Sequence, residues 1–294
     1  MLNPQIPIQQ EILLESFLSR LANDKIVLKI FAIIQKIPIP FARIPIRVDH
    51  FRMRAQTLDR FLAVLLWKYG LLENFEGTLL KKYCRPGMRV IDIGANIGFY
   101  TLTAAHIVGE KGNVLAFEPE HSNFQMLQQN LFANSYSFVT PVEAAISDKT
   151  EKICLFRSNA HFGDHRIYQH SKDRQGTALV QAYALDDFLD PSQTVDIIKM
   201  DIQGAEGLAL SGMTGLLERS QDIKIFMEFW PEGLLQTGYS PQNILNALIE
   251  RGFLIFEIHE RKRTLELIND SERFVQAIHA KSFCNLLICR NLLC

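Results

Sequence analysis

Apolar and polar residues follow two different patterns along the chain, and the change falls near Pro86. Before this residue, apolar positions recur at helical spacing, as in "QEILLESFLSRLA" and "TLDRFLAVLLWKYG". After it, short continuous apolar runs such as "MRVIDIG" and "NVLAFEPE" are each followed by a helical pattern. This alternation predicts βαβ units on a parallel sheet. We therefore divide the chain into a helical extension, residues 1–85, and an α/β domain, residues 86–294.

The helical extension is interpreted as a cap on the domain or as a dimer contact, with one strand expected near Arg47 to Arg54. Its most apolar segment, Ile26 to Ile37, has 12 residues and carries Lys29 and Lys36. A membrane-spanning helix needs about 20 apolar residues. We therefore expect a helix packed on the domain or on a partner subunit, in preference to a helix lying on a membrane surface.

Within the α/β domain, the runs "VDIIKMD", "IKIFMEF", "FLIFEIHE" and "CNLLICR" are predicted to be later strands. Two helices are indicated by capping patterns. "SNFQMLQQNLF" begins with Ser122 and has Gln125 three residues later, as in a capping box, and "SPQNILNALIERG" begins with a serine and a proline. No clear helical pattern separates the last two strands, which favours an antiparallel pair at one end of the sheet.

Composition narrows the classes of partner. The 294 residues carry a formal net charge of -1, so no long-range field draws the protein onto nucleic acid or an acidic membrane, and a small molecule is the expected partner. The five cysteines are widely spread and form no C-x-x-C pair, which indicates reduced thiols and neither a zinc site nor a disulfide framework. "MLNPQIPIQQ" lacks the pattern of a signal peptide, and a cytoplasmic protein is expected.

The stretch "VIDIGANIGFY" contains the most informative turn. A dinucleotide-binding loop has the pattern G-x-G-x-x-G, in which the second glycine lets the backbone approach a pyrophosphate. In this chain the second and third glycine positions hold Asn96 and Phe99. The remaining turn, Gly94 to Gly98, can aim backbone N–H groups at a ligand but provides less room for two phosphates. A ligand with a carboxylate and no phosphate suits it.

Two acidic residues accompany this turn. Asp92 lies at the end of an apolar strand run, where a carboxylate can accept hydrogen bonds from the loop or from an ammonium group. Glu118 ends the next run, where an acidic side chain can bind both hydroxyls of a ribose. Together they describe a ligand made of an adenosine and an amino acid, which is S-adenosylmethionine.

Six segments in the same order resemble the motifs of the FkbM-type S-adenosylmethionine-dependent methyltransferases: "VIDIGANIGFYTL", "FEPEHSNFQMLQQNL", "VEAAISDKT", "LDDFLD", "IIKMDIQGAEGLALSGM" and "IFMEFWPEGL". The resemblance extends from about Glu76 to Arg290. It implies a class I methyltransferase fold, with a Rossmann-like seven-stranded sheet and helices on both faces. It also implies methyl transfer to an oxygen, often a hydroxyl of a sugar or natural product. The family's cofactor positions fall on Asp92, Gly94, Ala95, Asn96, Gly98, Glu118, Asn123, Ala145 and Asp148.

Candidates for the general base that removes the acceptor's proton are Asp201, Glu228 and His161. Asp201 and Glu228 each follow an apolar run. As alternatives, Asp201 could cap the helix "GAEGLALSGM", and Glu228 could pair with Lys199.

His161 belongs to the segment "SNAHFGDHRIYQH", which also carries His165, His170, Arg166 and Asp164 and could form a lid or an ordinary solvated loop. The spacing of these residues matches no standard metal site, and none is expected. Trp230 and Pro231 could line the acceptor pocket or belong to the core.

One departure from the family is Gln203, where many members carry glutamate, so a charge is missing beside Asp201. The expected partner is a hydroxylated or glycosylated small molecule, with neither nucleic acid nor a membrane span, and a homodimer is left open. Methyl transfer to nitrogen or another acceptor, a nicotinamide oxidoreductase of similar fold, and a binding protein without catalysis are the alternatives.

Overall fold

The computed structural model describes residues 45–54, 75–156, 166–167, 177–278 and 283–291. The helices predicted before residue 45 and between residues 57 and 70 lie outside these ranges, and so does the segment Ile26 to Ile37. The strand expected near Arg47 to Arg54 is an antiparallel hairpin of two strands, Ile46–Val48 and Phe51–Met53. The domain boundary at residue 85 stays a prediction.

The described elements from residue 75 onward include both strands and helices. The helices are α1 (Phe75–Tyr83), α2 (Phe99–Val108), α3 (His121–Ala133), α4 (Leu185–Phe188), α5 (Glu206–Ser211), α6 (Thr214–Arg219), α7 (Pro231–Gln236), α8 (Pro241–Glu250) and α9 (Ser271–Ile278). The strands are β1 (Ile46–Val48), β2 (Phe51–Met53), β3 (Arg89–Ile93), β4 (Asn113–Phe117), β5 (Val139–Val142), β6 (Ala145–Ile146), β7 (Glu151–Phe156), β8 (Thr177–Tyr183), β9 (Ile197–Met200), β10 (Lys224–Phe229), β11 (Leu254–His259), β12 (Thr264–Leu267) and β13 (Cys284–Cys289).

The main sheet confirms the class I methyltransferase fold. Its strand order is β12-β11-β13-β10-β9-β3-β4-β5. The five strands from β10 to β5 are parallel, and β13 lies antiparallel between β10 and β11. These are the seven expected strands. The described part of the sheet has an eighth, β12, which pairs with β11 at the edge. A separate three-stranded sheet has the order β6-β8-β7.

Helices cover both faces of the main sheet because the parallel strands are apolar on both sides. One core cluster joins the sheet to α5 through α9 and includes Ile91, Ile198 and Ile225. The other joins the opposite face to α1, α2 and α3 and includes Val90 and Ile197. Alternate residues of one strand thus enter different cores, as the two-residue period of a strand requires.

Three local predictions can be compared with the structure. Ser240 caps α8 as expected, its hydroxyl accepting from the backbone N–H of Asn243 at 3.4 Å. The cap of α3 is Glu120 and not Ser122, because the Glu120 carboxylate accepts from the N–H of Asn123 at 2.9 Å. The last two strands do pair antiparallel, but α9 lies between them in the chain. The apolar residues of α9 lie on one face of the helix and are separated by polar residues in the chain. The sequence therefore shows no continuous apolar run there.

Two further findings concern the described ranges. The cysteines found there, at positions 84, 154, 284 and 289, are free thiols. No helix within these ranges has the length and apolar character needed to cross a membrane.

Candidate active site

A cleft of about 400 Å³ lies at the carboxyl ends of β3, β4 and β9. Open α/β sheets bind their ligands at this edge. The cleft brings together seven of the nine predicted cofactor positions: Asp92, Gly94, Ala95, Asn96, Glu118, Asn123 and Ala145. It also includes two residues of the predicted acid motif, Asp201 and Gln203. We call the part around Asn96 and Glu118 the first-loop end, and the part around Asp201, Gln203 and Glu228 the carboxylate end.

The turn after β3 packs against the residue that follows β9, Asp201, and it also lines the cleft. Gly94 has φ +84°, and a Cβ atom there would lie 2.1 Å from the carbonyl oxygen of Asp201. Only glycine fits such a contact. Asn96 has φ +50°, a left-handed conformation that asparagine adopts more readily than most residues. Gly94 is therefore required for packing the two ends of the cleft together, in addition to any ligand contact.

Glu118 connects the first loop to the loop after β4. Its Oε2 accepts from the N–H of Asn96 at 2.8 Å, and its Oε1 accepts from the N–H of Glu120 at 2.9 Å. The side-chain amide of Asn123 also donates to Oε1, at 3.3 Å. Burial raises the pKa of Glu118 to about 7 despite these donors. A carboxylate has about four acceptor positions, so Glu118 can still accept from a ligand hydroxyl.

Asp92 lies on β3 directly below the turn and is 2% exposed. Its Oδ2 accepts from the hydroxyl of Thr101 at 2.5 Å. Burial raises its pKa to about 6, while the Thr101 hydroxyl and the nearby Lys199 ammonium act in the opposite direction. Asp92 is thus a buried carboxylate in the cleft wall that can accept from a cationic donor.

Apolar side chains complete the first-loop end: Phe117, Ala144, Ala145, Ile146 and Leu155 all line the cleft. Such a lining suits a flat aromatic base. The tight turn, the buried acids at Asp92 and Glu118, and this apolar wall together fit the amino acid, ribose and adenine groups of S-adenosylmethionine. The residues present are therefore those that would hold this cofactor.

Two predicted cofactor positions lie outside the cleft. Gly98 has φ +98°, and a Cβ atom there would lie 2.7 Å from Cδ1 of Leu127, so this glycine permits α2 to pack against α3. Asp148 accepts from the hydroxyl of Ser147 at 3.1 Å and does not line the cleft. Both positions come from the resemblance to the family, and their assignment to the cofactor stays a prediction.

At the carboxylate end, the side-chain amide of Gln203 joins two acids. Its Nε2 donates to Oδ1 of Asp201 and to Oε2 of Glu228, both at 3.0 Å. Burial raises the pKa of Glu228, and the charges of Asp201 and Glu206 raise it further. The residue that departs from the family pattern therefore connects a pair of carboxylates, because Glu228 supplies the second acid.

The two structural alternatives for these acids are wrong. Asp201 does not cap a helix, since α5 begins at Glu206 and its N-cap position is Ala205. Lys199 forms its ion pair with Glu76, not with Glu228, at 3.4 Å between Nζ and Oε1. Neither alternative therefore accounts for these acids, although Glu228 still interacts electrostatically with Lys199.

Three residues of this site were missed by sequence reasoning: Glu76, Tyr100 and Lys199. Tyr100 and Lys199 line the cleft, and the Tyr100 hydroxyl donates to Oε2 of Glu76 at 2.9 Å. A lysine inside the apolar run "VDIIKMD" was a usable signal, because lysine is almost never buried without a partner. Glu76 gave no signal, since its partners are distant in the chain.

The remaining candidates lie beside the cleft or outside the described residues. Trp230 is half-buried, and the guanidinium of Arg166 lies 4.2 Å from its ring centroid. His161, together with Asp164, His165 and His170, falls in ranges that the structure does not describe. Within the described ranges, no group of three or more His, Cys, Asp or Glu side chains is arranged to hold a metal ion.

The chain is similar to known methyltransferases. A family model described as the methyltransferase FkbM domain matches residues 92–255. The hexuronic acid methyltransferase AglP of Haloferax volcanii is 28% identical over 162 residues, which cover 54% of this chain and 60% of AglP. The ribosomal RNA large subunit methyltransferase E of Nitratidesulfovibrio vulgaris is 30% identical over 112 residues, which cover 34% of this chain and 52% of that protein. The chain thus matches between half and two thirds of the length of these curated relatives.

The chain also has a distant similarity to solved structures. A methyltransferase FkbM from Methylobacillus flagellatus KT has a TM-score of 0.42 and 18% identity, covering 77% of this chain and 54% of that one. A SAM-dependent methyltransferase from Aquifex aeolicus has a TM-score of 0.45 and 15% identity, covering 78% of this chain and 96% of that one. The fold assignment itself rests on the strand order of the present chain. Because the family model matches more than half of the residues, the chain belongs to the FkbM family of S-adenosylmethionine-dependent methyltransferases.

Proposed function

We propose that this chain transfers the methyl group of S-adenosylmethionine to a hydroxyl oxygen of a sugar or natural-product acceptor. The observation that carries this proposal is the carboxylate end of the cleft, where Gln203 holds Asp201 and Glu228 beside the candidate cofactor site. A hydroxyl acceptor must lose its proton during the transfer. A half-buried acid pair next to the candidate cofactor site supplies a group that can accept it.

The cofactor supplies an activated methyl group when bound. Under this proposal Glu118 accepts from the ribose hydroxyls, and Asn123 with the loop N–H groups keeps that carboxylate oriented. Asp92 accepts from the cationic amino group. The apolar wall that includes Phe117 and Leu155 excludes water from the base. Holding the acceptor in line with the methyl group is then the main remaining task of the enzyme.

We assign Asp201 as the general base because its side chain lines the cleft, whereas Glu228 reaches the cleft through Gln203. The raised pKa of Glu228 keeps that carboxyl protonated near neutral pH. A neutral Glu228 avoids repulsion with Asp201. The amide of Gln203 donates one hydrogen to each acid, which fixes the direction in which Asp201 can accept a proton.

The named relatives bear on the acceptor. AglP acts on a hexuronic acid by its name, which supports a sugar acceptor for this chain. A ribosomal RNA methyltransferase also matches, over a smaller part of the chain, so RNA is the competing acceptor. RNA binding depends on basic residues that neutralise phosphates. This chain has a net charge of -1, and four acidic side chains surround Lys199 in the cleft. We therefore favour a sugar over RNA as the acceptor.

The test has two stages. Calorimetric titration with S-adenosylhomocysteine measures the cofactor site alone. An acceptor screen then follows S-adenosylhomocysteine release and product mass with neutral glycosides, uronic acid glycosides and a ribosomal RNA fragment. We expect methylation of a glycoside in wild type and its loss in Asp201→Asn. Methylation of the RNA fragment alone would transfer the proposal to the competing acceptor, and binding without methylation of any acceptor would contradict it.

A further inference from the structure

Three neighbouring strands place charged residues on one face of the sheet at its cleft end. On β3, β9 and β10 this face changes from apolar to charged toward the cleft: Val90 then Asp92, Ile197 then Lys199, Phe226 then Glu228. The register partner of Lys199 on β10 is Phe226, so Glu228 lies two residues farther along its strand. Asp92 and Lys199 are register partners in the parallel pair of β3 and β9. Adjacent strands lie about 4.8 Å apart, so these two charged side chains are neighbours in the cleft wall.

Lys199 is held by the two helices that cover this face. Its Nζ lies 3.4 Å from Oε1 of Glu76, in α1, and 5.1 Å from the ring centroid of Tyr100, in α2. Tyr100 donates to the other oxygen of Glu76. Lys199 is 3% exposed and Glu76 is 2% exposed, so bulk water solvates neither charge. The lysine is thus fixed from one side while it lines the cleft on the other.

Four acidic side chains face the Lys199 ammonium: Glu76 from α1, Asp92 from β3, Asp201 from the loop after β9, and Glu228 from β10, which is neutral near pH 7. Burial by itself lowers the pKa of Lys199, but the ionised acids of this group outweigh burial and raise it above its ordinary value. Lys199 is therefore charged at neutral pH. Asp92 in turn faces Lys199, Asp201 and the Thr101 hydroxyl, and the positive charge in this group is that of Lys199.

We propose that Lys199 is a positioning residue for the cofactor, which keeps Asp92 ionised at neutral pH so that this carboxylate can accept from the cationic amino group of S-adenosylmethionine. The inference rests on the proposed function, since it uses the assignment of Asp92 to the amino acid part of the cofactor. Glu76 takes part because it holds Lys199 in place. Glu76 lies outside residues 92–255, which the family model matches, and it thereby acts on the cofactor site through Lys199.

S-adenosylhomocysteine is the probe, because it carries the same amino acid and ribose groups and needs no acceptor. Its Kd is measured by calorimetry between about pH 5.5 and 7.5, below the pKa of a free α-amino group. Ionised Asp92 binds the amino group, so the affinity of wild type is high above the Asp92 pKa of about 6 and falls below it. Removing a neighbouring opposite charge raises a carboxyl pKa by about 1 to 3 units. In Lys199→Met the fall should begin at least about one pH unit higher, with an affinity loss of about fivefold or more at pH 6.

Lys199→Arg keeps the charge and should restore the profile of wild type. Lys199→Gln is a second variant that removes the charge and should shift the profile as Lys199→Met does, which keeps the test available if one variant does not fold. Lys224→Met is the matched control. Lys224 is 4% exposed and lies on β10 over the ring of Tyr83, at the end of the strand away from the cleft. It should leave the profile unchanged.

Glu118 also titrates in this range, and a double-mutant cycle separates its contribution. In the Asp92→Asn background, Lys199→Met should no longer move the profile. A Lys199→Met profile that superimposes on that of wild type overturns the proposal, and so does a shift that persists in the Asp92→Asn background. Failure of the proposed function looks different: wild type that binds the probe but methylates no acceptor contradicts that function and leaves the profile shift measurable. Wild type that does not bind the probe contradicts both.

Discussion

At the first-loop end of the cleft, Glu118 is held by backbone N–H groups of Asn96 and Glu120, whereas at the carboxylate end Asp201 and Glu228 are held by one side chain, that of Gln203. Backbone donors are positioned by the fold and survive most substitutions. A side-chain donor disappears with one mutation. We therefore expect the first-loop end to define a constant cofactor site and the carboxylate end to be the part that differs among acceptors.

The largest expected effect comes from the contact that joins the two ends. A Cβ atom at Gly94 would lie 2.1 Å from the carbonyl oxygen of Asp201, and backbone cannot yield as a flexible side chain can. We expect Gly94→Ala to destabilise the fold by more than about 3 kcal/mol and Gly94→Val to give no folded protein. Chemical denaturation followed by circular dichroism measures both.

Gly252→Ala is the control, because Gly252 has φ +81°, close to the φ of Gly94, and no atom within 4 Å of its Cβ position. It isolates the strain of placing a Cβ atom on a backbone of positive φ, which costs about 1 to 2 kcal/mol. Equal losses in Gly94→Ala and Gly252→Ala would show that the contact with Asp201 contributes nothing.

The next effect isolates the carboxylate end. In Asp201→Asn the side chain keeps its shape and can still accept from Gln203, but it cannot take a proton. Turnover should fall by about 10²- to 10⁴-fold, as for the loss of a general base, while S-adenosylhomocysteine affinity and melting temperature stay near those of wild type. The measurement is the methylation rate with an acceptor from the screen.

Glu228→Gln serves as the comparison variant. Because Glu228 is already neutral near pH 7 in our assignment, Glu228→Gln should lose far less activity than Asp201→Asn. A rate for Asp201→Asn within about threefold of wild type, far from the loss expected for a base, would move the assignment to Glu228 or to the histidines near residue 161.

The third effect isolates the first-loop end. Glu118→Ala removes charge-assisted hydrogen bonds worth about 1.5 to 3 kcal/mol, so the Kd for S-adenosylhomocysteine should rise about 10- to 100-fold. Asp148→Asn is the control, because this residue was predicted with Glu118 from the same resemblance but does not line the cleft. Its Kd should match that of wild type. Equal affinities of Glu118→Ala and wild type would contradict the ribose assignment.

The same contrast explains what could be predicted from the sequence. Asp92, Gly94, Asn96 and Glu118 lie within or directly after the first two strands of the domain, so short motifs locate them and the fold brings them together. Parallel strands were predictable for the same reason, since their pattern is local. Glu76 was not, because its partners Lys199 and Tyr100 become neighbours only when α1 packs on the sheet.

Long-range packing also separates residues that lie close together in the motifs. Gly98 and Asp148 match the family motif, yet Gly98 faces Leu127 of α3, and Asp148 lies outside the cleft wall. The edge strand β12 was missed because it is short and largely exposed, so it lacks the apolar run of a buried strand. A motif identifies the neighbourhood of a site, but the direction of each side chain depends on the tertiary contact it makes.

The smallest expected effect concerns Glu206, which follows the carboxylate end and is fully buried. Its Oε1 accepts from the N–H of Ile202 at 3.1 Å, and its Oε2 has no hydrogen-bond partner within the described residues. Burial raises its pKa from 4.5 to about 7. A raised folded-state pKa means that the folded protein favours the protonated acid. The resulting stability is fully present below about pH 4.5 and is lost as the pH rises through about 7.

Glu206→Gln tests this sign, because glutamine is nearly isosteric and stays neutral. We expect it to melt at about the same temperature as wild type at pH 5 and about 2 to 4 °C higher at pH 8, which corresponds to about 1 kcal/mol in a protein of this size. Asp148→Asn provides the control at a half-buried acid outside the cleft, and its melting temperature should track wild type at both pH values. The carboxylate Oε1 accepts from a backbone donor, so an amide oxygen can replace it, and the amide nitrogen then occupies the position of the unpaired Oε2. If Glu206→Gln melts at a lower temperature than wild type at both pH values, the ionised Glu206 carboxylate stabilises the fold. The carboxylate end would then tolerate a buried negative charge better than the raised pKa of Glu206 indicates.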